Sequence, residues 1–247
     1  MAEEQKIALV TGANKGIGFE IARQLGAQNI TVLLGVRSQE RGQAALEKLL
    51  AEQIEAVVVP LDVTDPVSIE AAAAFIDQTY GHLDILVNNA AITVDERKSP
   101  PSQLAMADLQ KVFATNFFGV FAVIGAMLPL LKRSQAGRIV NLSSKAGSLA
   151  LASTSASGSF FDQIPPALAY TSSKTALNAL TVAFARELRG TKIKINAVSP
   201  GYVATDLNDH SGLLTPEQGA HEPVAYATLP EDGPHGGFFG SEGAISW

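Results

Sequence analysis

The sequence predicts an α/β protein with one doubly wound, parallel, seven-stranded sheet and helices on both faces. Three observations carry that expectation. Short runs rich in Val, Ile and Leu alternate with longer helical patterns along the whole chain. The runs are continuously apolar rather than alternating, as strands covered on both faces require. The strand-helix order repeats six times before a last strand, which favours right-handed crossovers onto a parallel sheet.

The first strand is read in KIALV (6–10), followed by a helix over 17–28. TVLL (31–34) and AVVV (56–59) are leucine-rich and β-branched, and helical patterns over 38–52 and 66–80 follow them. LDILVN (83–88) precedes a long helical stretch over 102–132, and GRIVNLS (137–143) precedes another over 168–190. KIKINAVS (192–199), a helix over 216–229 and a strand around GGFFG (236–240) complete the series. No linker or change of composition divides it, so residues 1–247 are read as one domain. The small-residue stretch SLALASTSASGSF (148–160) is read as a loop within that domain.

Composition sets the outer limits. The 247 residues are 47% hydrophobic and 17% charged, enough for a substantial core. A net charge of −6 gives no basic field for a nucleic acid backbone, so no such partner is expected. There is no cysteine, and His82, His210, His221 and His235 are scattered without ligand spacing, so no metal site is expected. The acidic start MAEEQ is unlike a secretory signal, and no uninterrupted apolar run approaches the roughly 18 residues of a membrane span. The expectation is a soluble, cytoplasmic protein with no membrane partner.

The segment TGANKGIG (11–18) has its glycines in the first strand-to-helix turn. In a doubly wound sheet that turn lies at the carboxyl ends of the strands, where a dinucleotide pyrophosphate sits on the helix N-terminus. Gly12, Asn14, Lys15, Gly16, Ile17 and Gly18 are therefore candidate cofactor-binding residues of a Rossmann-type site. About 20 residues on, a carboxylate would hold the ribose hydroxyls of NAD. Here Gly35 occupies that position and Arg37 follows. With Lys15, Arg37 offers two cations to an additional phosphate, which favours NADP(H).

TGANKGIG, LDVTD (61–65), NNAA (88–91), TNFFG (115–119), VNLSS (140–144), YTSSK (170–174) and SPGYVATDL (199–207) occur in one order. Together they resemble the short-chain dehydrogenase/reductase family, over residues 7 to about 207. Through TGANKGIG, VRSQERGQAALEKL, TNFFG and TPEQGA the chain is most similar to the NADPH-dependent carbonyl reductase group. The resemblance implies a dinucleotide-binding half (6–90) and a catalytic half (91–247) with substrate loops at 145–169 and 203–215.

Tyr170 and Lys174 stand four apart at the start of a helix, so their side chains share a face. A phenol has a reference pKa of about 10, and a neighbouring ammonium is expected to lower it. Tyr170 is thus the candidate general acid, giving a proton to a carbonyl oxygen as hydride reaches carbon. Ser144, just past the fifth strand, is the candidate partner of that oxygen, with Ser143 its rival. The family pattern favours the second serine. The resemblance also gives Lys174 a hold on the nicotinamide ribose and Asn116 a water that links the lysine to solvent. It places Asp62 and Val63 by the adenine and Asn88, with Ala90 beside it, near the adenosine ribose. Pro200, Gly201, Val203 and Thr205 would line the nicotinamide, with Tyr170 and Lys174 also touching the cofactor.

One departure concerns the 25 residues, 145–169, between Ser144 and Tyr170, more than the family commonly has. Phe160, Phe161, Ile164, Pro165 and Pro166 are read there as walls of a substrate pocket. In some relatives an insertion at this place covers the dimer surface, so monomer and homo-oligomer both stay open. The expected activity is NADPH-dependent reduction of a neutral ketone or aldehyde to an alcohol, reversible as an alcohol dehydrogenase. The alternative is a dinucleotide-sensing binding protein of the same fold, which would have no need of Asn116, Ser144, Tyr170 and Lys174 together.

Overall fold

One eight-stranded sheet organises the computed structural model, which describes residues 5–95, 100–154 and 167–247. The strands are β1 (Ile7–Thr11), β2 (Thr31–Val36), β3 (Ala56–Pro60), β4 (Ile85–Asn88), β5 (Arg138–Leu142), β6 (Lys194–Val198), β7 (Phe238–Gly240) and β8 (Gly243–Ala244). Their order is β3-β2-β1-β4-β5-β6-β7-β8, with the first seven parallel. The eighth strand goes beyond the seven expected. It pairs antiparallel with β7, and Ile245 N–H donates to the Phe238 carbonyl at 2.8 Å. Two residues are too few to leave a periodic signal in a sequence.

Eight α-helices connect the described strands: α1 (Gly16–Gly26), α2 (Gln39–Ala51), α3 (Pro66–Tyr80), α4 (Met106–Phe113), α5 (Val120–Leu131), α6 (Leu149–Thr154), α7 (Leu168–Glu187) and α8 (Pro216–Ala227). Local chemistry fixes several ends. Asp65 accepts from Val67 N–H ahead of Pro66 in α3, and Thr215 and Gln218 form a capping box ahead of Pro216 in α8. Gly81 closes α3 at φ 75°.

Alternate strand residues face opposite sides and meet separate helix layers. Leu9, Leu33, Leu86, Ile139 and Ile195 pack with α3, α5 and α7, whereas Val10, Leu34, Val87 and Val140 pack with α1, α2 and α8. Asp84 ties the sheet's entrance, accepting from Ile7 N–H at 2.9 Å and from the Ser134 hydroxyl at 2.5 Å.

The long stretch predicted over 102–132 is α4 and α5 joined through a π-helical turn, Ala114–Gly119. The combined helix, Met106–Leu131, is long and apolar enough by length and composition to cross a membrane. In the sequence Thr115 and Asn116 interrupt the apolar run short of such a length. In the fold, Val123, Ile124, Met127 and Leu131 are buried in the core shared with α3.

Candidate active site

β1 lies between β2 and β4, so the chain's crossovers leave in opposite directions on either side of it. A cleft opens at such a reversal. A cavity of about 1000 Å³ lies there, lined by the glycine turn, the ends of the central strands and the 204–216 segment. Gly12 (φ 69°) and Gly16 (φ 57°) take left-handed conformations that L side chains resist. Gly18 serves a different need. A Cβ there would lie 2.4 Å from Asn89 Nδ2 and 2.6 Å from the Gly12 carbonyl. No side chain caps α1, so its first N–H groups are available to an anion in the cleft.

Gly12, Asn14, Lys15, Gly16, Ile17 and Gly18 all line the cavity, as do Arg37, Asp62, Val63, Ala90, Tyr170, Lys174, Pro200 and Thr205. Gly35 also faces it and contributes no carboxylate. Arg41 joins Lys15, Arg37 and Lys174 among the cations on the lining. Its place in the first turn of α2, just after Arg37, was the available signal in the sequence. Burial pushes the Asp62 carboxyl up, but hydrogen bonds from Thr64 and the charge of Arg37 outweigh it and hold the group below its ordinary value.

Asn88 does not reach this cleft. Its side chain is buried and donates to Asn141 Oδ1 at 2.8 Å, because at the end of β4 it points into the layer beneath the sheet. The next residue faces the cleft instead. Asn89 lines the cavity and its Nδ2 donates to the Thr11 carbonyl at 2.8 Å and the Gly12 carbonyl at 3.3 Å, bracing the glycine turn. Strand alternation decides which of two adjacent asparagines is outward, and NNAA alone does not reveal its register. Gly201 and Val203 also lie off the lining, since the Val203 side chain is buried against Gly219 of α8.

The catalytic candidates converge where α7 crosses the end of β5. Lys174 is 3% exposed; its ammonium donates to the Leu142 carbonyl at 2.7 Å and stands 5.6 Å from the Tyr170 ring centre. Ser144 hydrogen-bonds the Tyr170 phenol. Ser143 lies on the cavity lining, but its hydroxyl is committed elsewhere, donating to Asn178 Oδ1 at 2.6 Å. Ser144 is not itself on the lining; its partner Tyr170 is.

Burial pushes the Tyr170 phenol up to about 12, against the opposing hydrogen bond from Ser144, and pushes the Lys174 ammonium down to about 8. The expected lowering of the tyrosine by the lysine is therefore not the outcome here. Desolvation dominates the phenol's state, and the ammonium is engaged by a backbone carbonyl.

Asn116 is fully buried in the π turn and its side chain does not line the cavity. Its amide accepts from Ile92 N–H at 2.9 Å, donates to the Ile92 carbonyl at 2.9 Å and donates to the Ser173 hydroxyl at 3.0 Å. It thus positions Ile92, which lines the cavity, against the helix that carries Tyr170 and Lys174. Within the stretch read as a loop from residue 148, Leu149–Thr154 instead form the helix α6, held by the chain's last residues, with Ser148 donating to the Ser246 carbonyl at 2.6 Å. Phe160, Phe161, Ile164, Pro165 and Pro166 lie outside the described residues.

The sequence model of the short chain dehydrogenases matches residues 6–213. The chain belongs to the short-chain dehydrogenase family. Its relatives within the family include (−)-isopiperitenone reductase of Mentha piperita, 36% identical over 100% of this chain and 99% of that protein. Carbonyl reductase (NADPH) 1 of Mus musculus is also 36% identical, over the whole of both chains. Among solved structures, an NADPH-bound carbonyl reductase from chicken fatty liver superposes with a TM-score of 0.84 at 31% identity, covering 98% of this chain and 99% of that one. Salutaridine reductase from Papaver somniferum gives 0.83 at 32% identity, covering 96% and 100%.

Proposed function

We propose that this short-chain dehydrogenase reduces a ketone or aldehyde to an alcohol with NADPH, and runs in reverse as an alcohol dehydrogenase when oxidised cofactor dominates. The observation that carries the reading is one cavity that joins Tyr170 and Lys174 to three cations and a glycine cradle. The cradle fits a dinucleotide, since added Cβ atoms would fill it, and Lys15, Arg37 and Arg41 suit an additional phosphate. The names of the carbonyl reductase relatives support the same cofactor and reaction class.

Bound NADPH would supply the hydride. The chain's own residues handle the oxygen and the proton. Tyr170 presents its hydroxyl to a carbonyl oxygen, and Ser144, hydrogen-bonded to it, orients that phenol. Tyr170 is protonated at neutral pH, a state that burial favours further, and in that state it can donate to the developing alkoxide. Lys174, held by the Leu142 carbonyl, places a positive charge beneath the ring as the phenol loses its proton. Asn116 and Ser173 fix the helix that carries both groups.

The test is loss of NADPH absorbance with a panel of aromatic, aliphatic and quinone carbonyls, for the wild type and Tyr170→Phe. Turnover with NADPH that the substitution abolishes, while cofactor binding persists, is the expected result. Cofactor binding without turnover of any carbonyl would refute the reductase reading in favour of a dinucleotide sensor.

A further inference from the structure

Lys15, which lines the cavity with Arg37 and Arg41, already has an anion. Its ammonium pairs with Asp206, which stands on the 204–216 segment across the mouth of the cleft. The other Asp206 oxygen lies 2.9 Å from His210 Nε2. Lys15 holds the Asp206 carboxyl below its ordinary value, with a smaller contribution from His210. The segment that presents this carboxylate is built rather than loose. Val203 bridges to Leu214, Ala204 N–H donates to the Leu214 carbonyl at 2.8 Å, and Leu214 N–H donates to the Tyr202 carbonyl at 3.0 Å. Thr205 and Asn208 cap the short turn that carries Asp206, and Asp209 and His210 take φ 52° and 58° to bring the imidazole back onto it. Two consecutive non-glycine residues in the left-handed region are uncommon.

We propose that Asp206 competes with the 2′-phosphate of the cofactor for Lys15, and so limits how tightly and how selectively the cleft takes NADPH. Lysine carries a point charge on a flexible stem and can exchange one anion for another. One ammonium that bonded both anions would bring a carboxylate and a phosphate face to face, so binding the second loosens the first. The glycine turn starts beside the site of Arg37, because Gly12 N–H donates to the Gly35 carbonyl at 2.7 Å. Lys15 released from Asp206 is then free to act with Arg37 and Arg41, which line the same cavity. Both members of the pair are more than half exposed, at 58% and 55%, so the effect is modest.

The inference rests on the NADPH reading above. Its test measures NADPH and NADH dissociation constants by quenching of protein fluorescence, for the wild type, Asp206→Asn, Lys15→Met and the double variant. At low salt Asp206→Asn is expected to tighten NADPH about three- to fivefold, the scale of one exposed ion pair, and to leave NADH unchanged. The gain should vanish in the Lys15→Met background. Unchanged or weaker NADPH binding by Asp206→Asn overturns the proposal, as does an equal gain with NADH or one that survives Lys15→Met. A wild type that binds NADH but not NADPH, or neither, overturns the NADPH reading itself and this proposal with it. Matching thermal midpoints for wild type and Asp206→Asn verify that the substituted segment remains folded.

Discussion

Replacing Lys174 by Met should change how stability depends on pH, apart from any loss of activity. Burial takes the lysine from 10.5 to about 8 in the folded protein. Between about pH 8 and 10.5 the unfolded chain therefore binds more protons than the folded one, and stability rises with pH in that window. From pH 7 to about 9.5 the unfolded lysine keeps nearly all of its proton while the folded one loses most of it. The difference integrates to about 1.4 pH units, or about 2 kcal/mol. Tyr170, raised to about 12, acts in the opposite direction above about pH 10 but is present in both proteins and cancels. Urea unfolding of wild type and Lys174→Met at several values across that range gives the comparison. The wild type should gain about 2 kcal/mol relative to the variant. Parallel pH profiles would refute the claim that desolvation governs this ammonium, and with it the account of a charge held ready beside Tyr170.

Asn116→Ala removes three hydrogen bonds and strands both polar groups of Ile92, so it should cost about 2–4 kcal/mol in denaturant unfolding. An unchanged unfolding midpoint would contradict its positioning role. Gly18→Ala drives a Cβ into Asn89 and the Gly12 carbonyl; cofactor affinity should fall about tenfold or more, with about 1–3 kcal/mol of stability. Isothermal titration and thermal unfolding measure the two losses. Arg41→Ala should weaken NADPH about tenfold and NADH far less, since a charged hydrogen bond to phosphate is worth about 1.5–3 kcal/mol. Equal losses with both cofactors would place Arg41 away from the extra phosphate.

The seven parallel strands and most helix spans were legible because their causes are local. Continuous apolar runs such as ILVN (85–88) need cover on both faces, and Asp65-Pro66 and Thr215-Pro216 mark helix starts by capping chemistry. The glycine turn was equally plain, since Gly12 and Gly16 are forced by φ and Gly18 by close approach. Other features depend on partners far along the chain. Asn116 looks like an ordinary weak helix former until Ile92 and Ser173 meet it and the helix opens into a π turn.

Asn88 and Asn89 are adjacent in sequence, and only strand register sends the first inward and the second to the cleft. The sequence by itself determined the sheet, the glycine cradle and the types of residue at the site, because those follow from periodicity and short spacings. The tertiary structure alone decided that burial, not the neighbouring ammonium, sets the state of Tyr170, and that Asp206 reaches across 191 residues to Lys15. Desolvation and long-range charge pairing depend on what surrounds a group in space, and no local pattern records that.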